Sequence, residues 1–340
     1  MKPIAIHDNK IGFTNRWIEY CSRNSIPFIK VNCYDTNIIE KLKECSALMW
    51  HWNYEYYQDY LFARQFLLAV KATNIKVFPE FWTTFLFDDK LGQKYLFESL
   101  DIPMPKTYAF YEKREATNWA KEIQYPIVFK LRCGAGSQNV QLVKSFTNAK
   151  RLIDKSYSTG FKSTNKPQVL RDRLIKLFRY KNKRSFINVI KSTYRLFIPK
   201  FDEKIIHREI GYVMFQEFLP NNDFDTRIIV LGNRCFGIRR YNRKNDFRAS
   251  GSGFLDYDPE QIDTRAIKLS FDIASKLETR LLALDFLFDK QNNPVVTEMS
   301  YGFAVEAYDD CMGYWDNKLI WHEGKQNLQY LMVEDLITEI

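Results

Sequence analysis

Two acidic residues near the end of the chain, Asp285 and Glu298, carry the sharpest chemical signal in the sequence. They lie in two largely apolar runs, 281–288 and 294–300, on either side of the turn-forming residues 289–293. An unbulged hairpin centred between Gln291 and Asn292 sets residues whose numbers sum to 583 opposite one another, so Asp285 faces Glu298. Facing Cβ atoms are about 4.5–5.5 Å apart, where like charges are unfavourable. At ~5 Å and an effective dielectric of ~20 the repulsion is roughly 3 kcal/mol. A divalent cation reverses its sign, and two hard oxygen donors open to phosphates suit Mg2+. Ser300, two residues past Glu298, points to the same face and is a third metal candidate. A pair of exposed acids on an outer face, or a bulged register, is the competing reading.

Three further groups of residues fit a phosphate-bearing ligand. Lys130 ends an apolar run just before Gly134, Gly136 and Ser137. Glycines let backbone N–H groups approach a phosphate, and the lysine adds a point charge. The Walker pattern is absent, and an ordinary hairpin turn is the alternative. Gln216, Glu217, Phe218 and Leu219 put a polar pair and then apolar side chains at a strand end, as the edge and face of a purine require, though a core strand reads the same way. Arg227, the pair Arg239 and Arg240, and Arg248 ahead of the Ser- and Gly-rich residues 249–253 can fork onto carboxylates or phosphates, or remain solvated.

These groups need elements to hold them. Over residues 3–78 the pattern predicts strands at 3–7, 26–31, 47–52 and 76–78 and helices at 15–24, 38–45 and 60–73, which implies a parallel α/β unit. No dinucleotide fingerprint follows its first strand. A helix is predicted over 90–100 with Leu91, Tyr95 and Leu96 on one side, before Pro103 and Pro105 force an extended exit. Strands follow at 125–131, 140–143, 212–219, 225–231 and 234–241, then a helix at 262–277, the hairpin, and a last helix at 326–337.

Composition sets the outer bounds. The 340 residues are 46% hydrophobic, rich in Phe and Tyr, and contain no apolar run approaching ~18 residues, which excludes a spanning helix and a disordered chain. Six scattered cysteines form no Cys-x-x-Cys pair, which argues against a disulfide framework or a zinc site. With no leader-like apolar stretch at the start, the expected location is cytoplasmic. The net charge of +9 is concentrated: residues 151–208 hold sixteen Lys and Arg against four Asp and Glu, and the remainder is slightly acidic.

Taken in order, the motifs resemble the ATP-grasp superfamily. The resemblance rests on Asp89-Lys90 with Ile102-Pro103, on residues 126–130 with the 134–137 loop, on 216–219, 225–227 and 246–253, and on Asp285 with Glu298-Met299-Ser300; it spans about Phe85 to Tyr308. It implies an α/β chain with an α+β grasp: a parallel unit at 1–84, a linker and lid region at 85–219 with a basic insert at about 151–208, and a metal and substrate region at 220–340. It further implies ATP and Mg2+ as cofactors. Lys90 and Lys130 would contact phosphates, Gly134, Gly136 and Ser137 would form a flap over them, and Gln216, Glu217 and Leu219 would meet adenine. Asp285, Glu298 and Ser300 would hold the metal, where the family usually has Asn at the position of Ser300. Arg227 and Arg248 would serve catalysis, Arg248 by holding the acyl substrate. The implied activity is a carboxylate–amine ligase working through an acyl phosphate. The tail at 313–337 is similar to that of grasp proteins encoded with bacterial surface-polysaccharide enzymes, which implies a sugar acid or glycan precursor as the acid and an amino acid as the amine. A ligase for a peptide or protein side chain and a nucleotide-binding regulator are the alternatives.

The insert adds one expectation of its own. Phe186, Ile190, Tyr194 and Phe197 recur at helical spacing among Lys183, Arg184, Lys191 and Arg195. Such a helix suits an anionic membrane surface at the inner face or a long anionic substrate, or else packs on its own stripe as a lid. No nucleic-acid motif accompanies the charge.

Overall fold

Alternation of apolar strands with amphipathic helices builds a parallel sheet from the first 78 residues. The computed structural model describes residues 2–9, 12–53, 56–134, 139–162, 166–198, 208–243, 246–248 and 253–340. It opens with β1 (Ile4–His7), α1 (Thr14–Arg23), β2 (Phe28–Val31), α2 (Ile38–Leu42), β3 (Ala47–Met49), α3 (Tyr57–Lys71), β4 (Lys76–Phe78) and α4 (Phe81–Phe85). The strands pair in parallel in the order β2-β1-β3-β4. The two central strands are buried along their whole length, as strands covered on both faces must be. Trp50 and Trp52 belong to this core.

The middle of the chain supplies α5 (Lys90–Ser99), β5 (Thr107–Phe110), α6 (Lys113–Glu122), β6 (Ile127–Lys130), β7 (Gln141–Val143), α7 (Phe146–Ser156), α8 (Lys166–Tyr180), α9 (Lys183–Phe197) and β8 (Val213–Glu217). An antiparallel sheet in the order β5-β8-β6-β7 carries α6 and α7 on its apolar face. The pattern did not point to β5, α6 or α7. The inward face of α6 is built on Ala116 and Ala120, small residues that leave a weak periodic signal. For α7 a local signal was present: the Ser145 side chain accepts from Asn148 N and caps the helix. The buried face of α5 is also corrected. Lys90, Gln93 and Phe97 point inward, while Tyr95 is exposed.

The last part holds β9 (Phe224–Leu231), β10 (Arg234–Tyr241), β11 (Leu255–Asp256), α10 (Thr264–Lys276), β12 (Leu281–Phe288), β13 (Pro294–Ser300), β14 (Gly313–Asp316), β15 (Trp321–Glu323) and α11 (Leu328–Ile337). Its seven strands form one antiparallel sheet, β13-β12-β9-β10-β14-β15, with β11 beside β10. One face, through Ile229, Phe236, Leu281 and Tyr301, joins the core of the parallel unit. The other, through Ile228, Val230, Leu284 and Phe286, packs with Phe97 of α5 and Ile267 and Ile273 of α10. Burial on both faces explains why 281–284 reads as an unbroken apolar run. Each large apolar side chain fully buried there stabilises the fold by about 1.5–3 kcal/mol.

The register of the β12–β13 hairpin needs a correction with a useful outcome. Phe288 pairs with Pro294 and Phe286 with Val296, so the turn centres on Gln291. A bulge then skips Thr297, whose hydroxyl donates to Asp285 O at 3.1 Å. The half-residue error in the turn and the bulge cancel, and Asp285 does face Glu298.

Candidate functional site

The carboxylate of Asp285 accepts three hydrogen bonds from two guanidinium groups and keeps one acceptor site. Asp285 sits on β12, between β13 and β9, beside Arg227 of β9. Its oxygens accept from Arg227 Nε at 2.5 Å, from Arg227 Nη2 at 2.8 Å and from Arg240 Nη2 at 2.7 Å. Arg240 of β10 also forks onto Asp225 at 2.6 and 2.7 Å. Burial raises the carboxyl's pKa, but the two guanidiniums outweigh it and hold Asp285 well below the usual carboxylate range.

Glu298 has a different cation. Lys90, at the start of α5, donates to Glu298 Oε1 at 2.9 Å, to Gly134 O at 3.0 Å and to Asp88 Oδ1 at 3.4 Å. Burial lowers the pKa of this ammonium, yet Glu298 and Asp88 carry it above the ordinary lysine value. Asp88, in the left-handed region at φ 51°, also accepts from Gly134 N and so ties the base of the glycine loop to Lys90. Burial pushes the Asp88 carboxyl up to about 6, against the opposing pull of Lys90.

Lys130 makes no hydrogen bond or ion pair among the described residues, although it is largely withdrawn from water. Burial depresses its ammonium to about 8, partly offset by Glu298. An unpaired cation aimed at a cleft is a binding group awaiting an anion. The cleft itself is a cavity of about 650 Å3 between the two antiparallel sheets, within the usual range for a small-molecule site. Its walls include Lys90, Lys130, Gly134, Gln216, Glu217, Leu219, Arg248, Asp285 and Glu298, so nine of the expected site residues converge there.

Arg227 and Ser300 are not among its lining residues. Arg227 is occupied by Asp285, and the Ser300 hydroxyl is engaged with Gly302 of its own loop, accepting from N at 2.9 Å and donating to O at 3.1 Å. Arg248 reaches the cavity while forked onto Asp246 at 2.8 Å. Gly136 and Ser137 lie outside the described residues. Among the described residues no group of three Asp, Glu, His or Cys side chains is arranged to hold a metal. Asp285 and Glu298 nevertheless fit Mg2+, which binds through one or two carboxylates plus substrate phosphates. Glu298 Oε2 has no hydrogen bond among the described residues, and Lys90 must yield Oε1 or share it.

Two positioning residues were not evident in the pattern, and a third, Arg240, was read there only as a candidate carboxylate or phosphate fork. Gln93 donates to Met299 O at 2.6 Å and accepts from Met299 N at 2.9 Å, fastening α5 to the strand that carries Glu298. Asn222 exchanges hydrogen bonds with Phe288 N and O and so joins the end of the 216–219 segment to β12. Arg240 bridges two acids. Gln93 had a local signal, a polar residue one turn after Lys90, and Arg240 had its place in the Arg239-Arg240 pair. A second hollow, about 500 Å3 between Ile39, Val70, Ile75 and Ile340, contains none of the expected residues.

Comparison with known proteins bears on the fold. Residues 199–314 match the RimK-like ATP-grasp domain model. The alpha-aminoadipate–LysW ligase LysX of Saccharolobus solfataricus is 23% identical over 232 residues, 68% of this chain and 67% of that protein. Among solved structures, a RimK domain ATP-grasp protein from Sphaerobacter thermophilus aligns with a TM-score of 0.56 at 13% identity, covering 98% of this chain and 99% of that one. The biotin carboxylase domain of Hydrogenobacter thermophilus 2-oxoglutarate carboxylase, in complex with MgADP, aligns at 0.59 and 13%, over 97% and 68%. The chain has the ATP-grasp fold, and within it residues 199–314 are similar to the RimK-like ATP-grasp domain.

Proposed function

We propose that the chain joins a carboxylate to an amine at the expense of ATP, by way of an acyl phosphate. The observation that carries this reading is one cavity that holds Lys130, without an ion-pair partner among the described residues, together with Glu298 and the strand end at 216–219. In this reading Lys130 and Lys90 grip the phosphates, Gly134 with Gly136 and Ser137 covers them, and Gln216, Glu217 and Leu219 take the adenine. Mg2+, held by Asp285 and Glu298, would offset the charge that builds on the phosphates. Arg227 holds Asp285 in place and Arg248 turns from Asp246 to the incoming carboxylate. The carboxylate oxygen takes the γ-phosphoryl group as ADP leaves; the amine nitrogen then bonds to the acyl carbon, and phosphate departs as the amine loses a proton. The regions 85–219 and 220–340 are the two jaws of this clamp.

For the amine, similarity to LysX supports an amino acid. For the acid, the sugar acid or glycan precursor suggested by the tail is the second arm of the test. The test is ADP release with panels of amino acids and sugar acids, alone and paired. We expect release only when both substrates are present, and its loss in Lys130→Ala and Glu298→Ala. Turnover undiminished in both variants would remove the site assignment, and nucleotide binding without any substrate-dependent release would make the protein a regulator.

A further inference from the structure

The helical hairpin α8–α9 carries an unusual surface. Between residues 166 and 197 there are ten Lys and Arg and a single acidic residue, Asp172. The two helices are fastened to each other by polar contacts. Arg173 donates to Asn188 O at 2.9 Å and to Ser192 Oγ at 2.5 Å, and Lys166 Nζ donates to Arg195 O at 2.7 Å. Ser192 is buried and Val189 and Leu196 are half-buried, so this is the side of α9 turned to its neighbour.

The strongest apolar stripe of α9 is therefore on the outside. Phe186, Ile190, Tyr194 and Phe197 are 55%, 53%, 60% and 81% exposed. The expectation of a lid packed on its own stripe is not met. At the turn between the helices, Phe178 (75% exposed) and Phe186 flank a shallow groove together with Lys181 and Lys183. Large apolar side chains grouped on one face mark an interaction surface, and single scattered ones would not. Here they share that surface with an almost unopposed positive charge, and no helix of the described chain is long and apolar enough to cross a membrane.

We propose that α8–α9 is a docking element for an anionic phospholipid surface, with Phe178, Phe186, Ile190, Tyr194 and Phe197 entering the headgroup boundary and the flanking lysines facing lipid phosphates. The charge favours this occupant. A protein partner or second copy must match ten basic residues with acids of its own, and this chain outside residues 151–208 is only slightly acidic. A bilayer rich in anionic headgroups supplies both complements at once: negative charge at the surface and hydrocarbon just beneath it. The inference does not depend on the ligase reading.

The experiment is flotation of the full chain with vesicles of phosphatidylcholine alone and with about one third phosphatidylglycerol. Wild type is expected to float with the anionic vesicles and to be released by high salt. Replacing both lysines in Lys181→Gln/Lys183→Gln should weaken partitioning about 25-fold, at roughly fivefold per basic residue near the surface. Phe186→Asp/Phe197→Asp, at exposed positions and with an unchanged far-UV spectrum as control, should abolish it. Equal recovery on neutral vesicles, failure of wild type to float, or flotation of the Asp variant like wild type would overturn the proposal. So would a dimer in solution, or a complex with nucleic acid, that the Asp variant disrupts while leaving flotation intact.

Discussion

Lys90 Nζ lies 2.9 Å from Glu298 Oε1, across 208 residues of sequence. The acid expected to hold a cation is thus already paired with one, and the same lysine is fixed to the base of the glycine loop. In the proposed reaction Lys90 would pass between Glu298 and a phosphate as nucleotide and metal enter. We expect Lys90→Met to lower kcat for ADP release by about 10²–10³-fold, the cost of losing one preorganised charge partner. Steady-state kinetics at saturating Mg2+ checks this; a loss under tenfold would show that Lys90 is structural.

Lys130 makes a pH-dependent prediction. Its ammonium is depressed to about 8, so the free protein carries the charge below that pH and loses it above. We expect kcat/KM for ATP to fall on the alkaline side of pH 8. Lys130→Arg, which stays protonated, should flatten the profile to beyond pH 9. The contribution to folding stability has the opposite sign. An unfolded lysine keeps its proton up to 10.5 while the folded one has lost it, so this group's contribution to stability rises between pH 8 and 10.5. A profile unaltered by the arginine substitution would assign the alkaline limb to another group.

Arg240 is a stability prediction. It is buried and divides its guanidinium between Asp225 and Asp285. Removing one partner of a buried ion pair leaves an uncompensated charge, at a cost of about 3–5 kcal/mol. Arg240→Met should lower the urea midpoint accordingly, whereas replacing an exposed arginine such as Arg265 should change stability by less than about 1 kcal/mol. Equal midpoints for the two variants would contradict the pairing.

Ser300 provides a sharp test of the metal set. Its hydroxyl serves the turn to Gly302. We expect Ser300→Ala to cost about 1 kcal/mol of stability, one net hydrogen bond, and to leave the Mg2+ concentration for half-maximal activity within about threefold of wild type. A tenfold rise in that requirement would return Ser300 to the metal.

Much of the fold was legible because burial imposes a period. Strands 234–241, 281–288 and 294–300 are observed with the bounds read from the pattern, and the parallel order of the first unit follows from alternating strands and helices. The failures also have causes. The alanine face of α6 is too small to register, and α5 turns Lys90 and Gln93 inward where periodicity favoured Leu91 and Tyr95. A buried lysine is affordable only if a distant carboxylate meets it, which no local window can show.

By itself the sequence determined the alternation of apolar and polar residues along these strands, and it set Asp285 opposite Glu298 only for an unbulged hairpin. The shifted turn and the bulge at Thr297, which together restore this pairing, were decided by the structure. The tertiary structure also decided what neutralises the two acids: Arg227 and Arg240 from strands of the same sheet, Lys90 from a helix 208 residues away, with Lys130 left without an ion-pair partner among the described residues. The reason is physical. Side-chain period is a local property of the backbone, whereas charge pairing in a low-dielectric interior depends on which elements the sheet order and helix packing bring side by side.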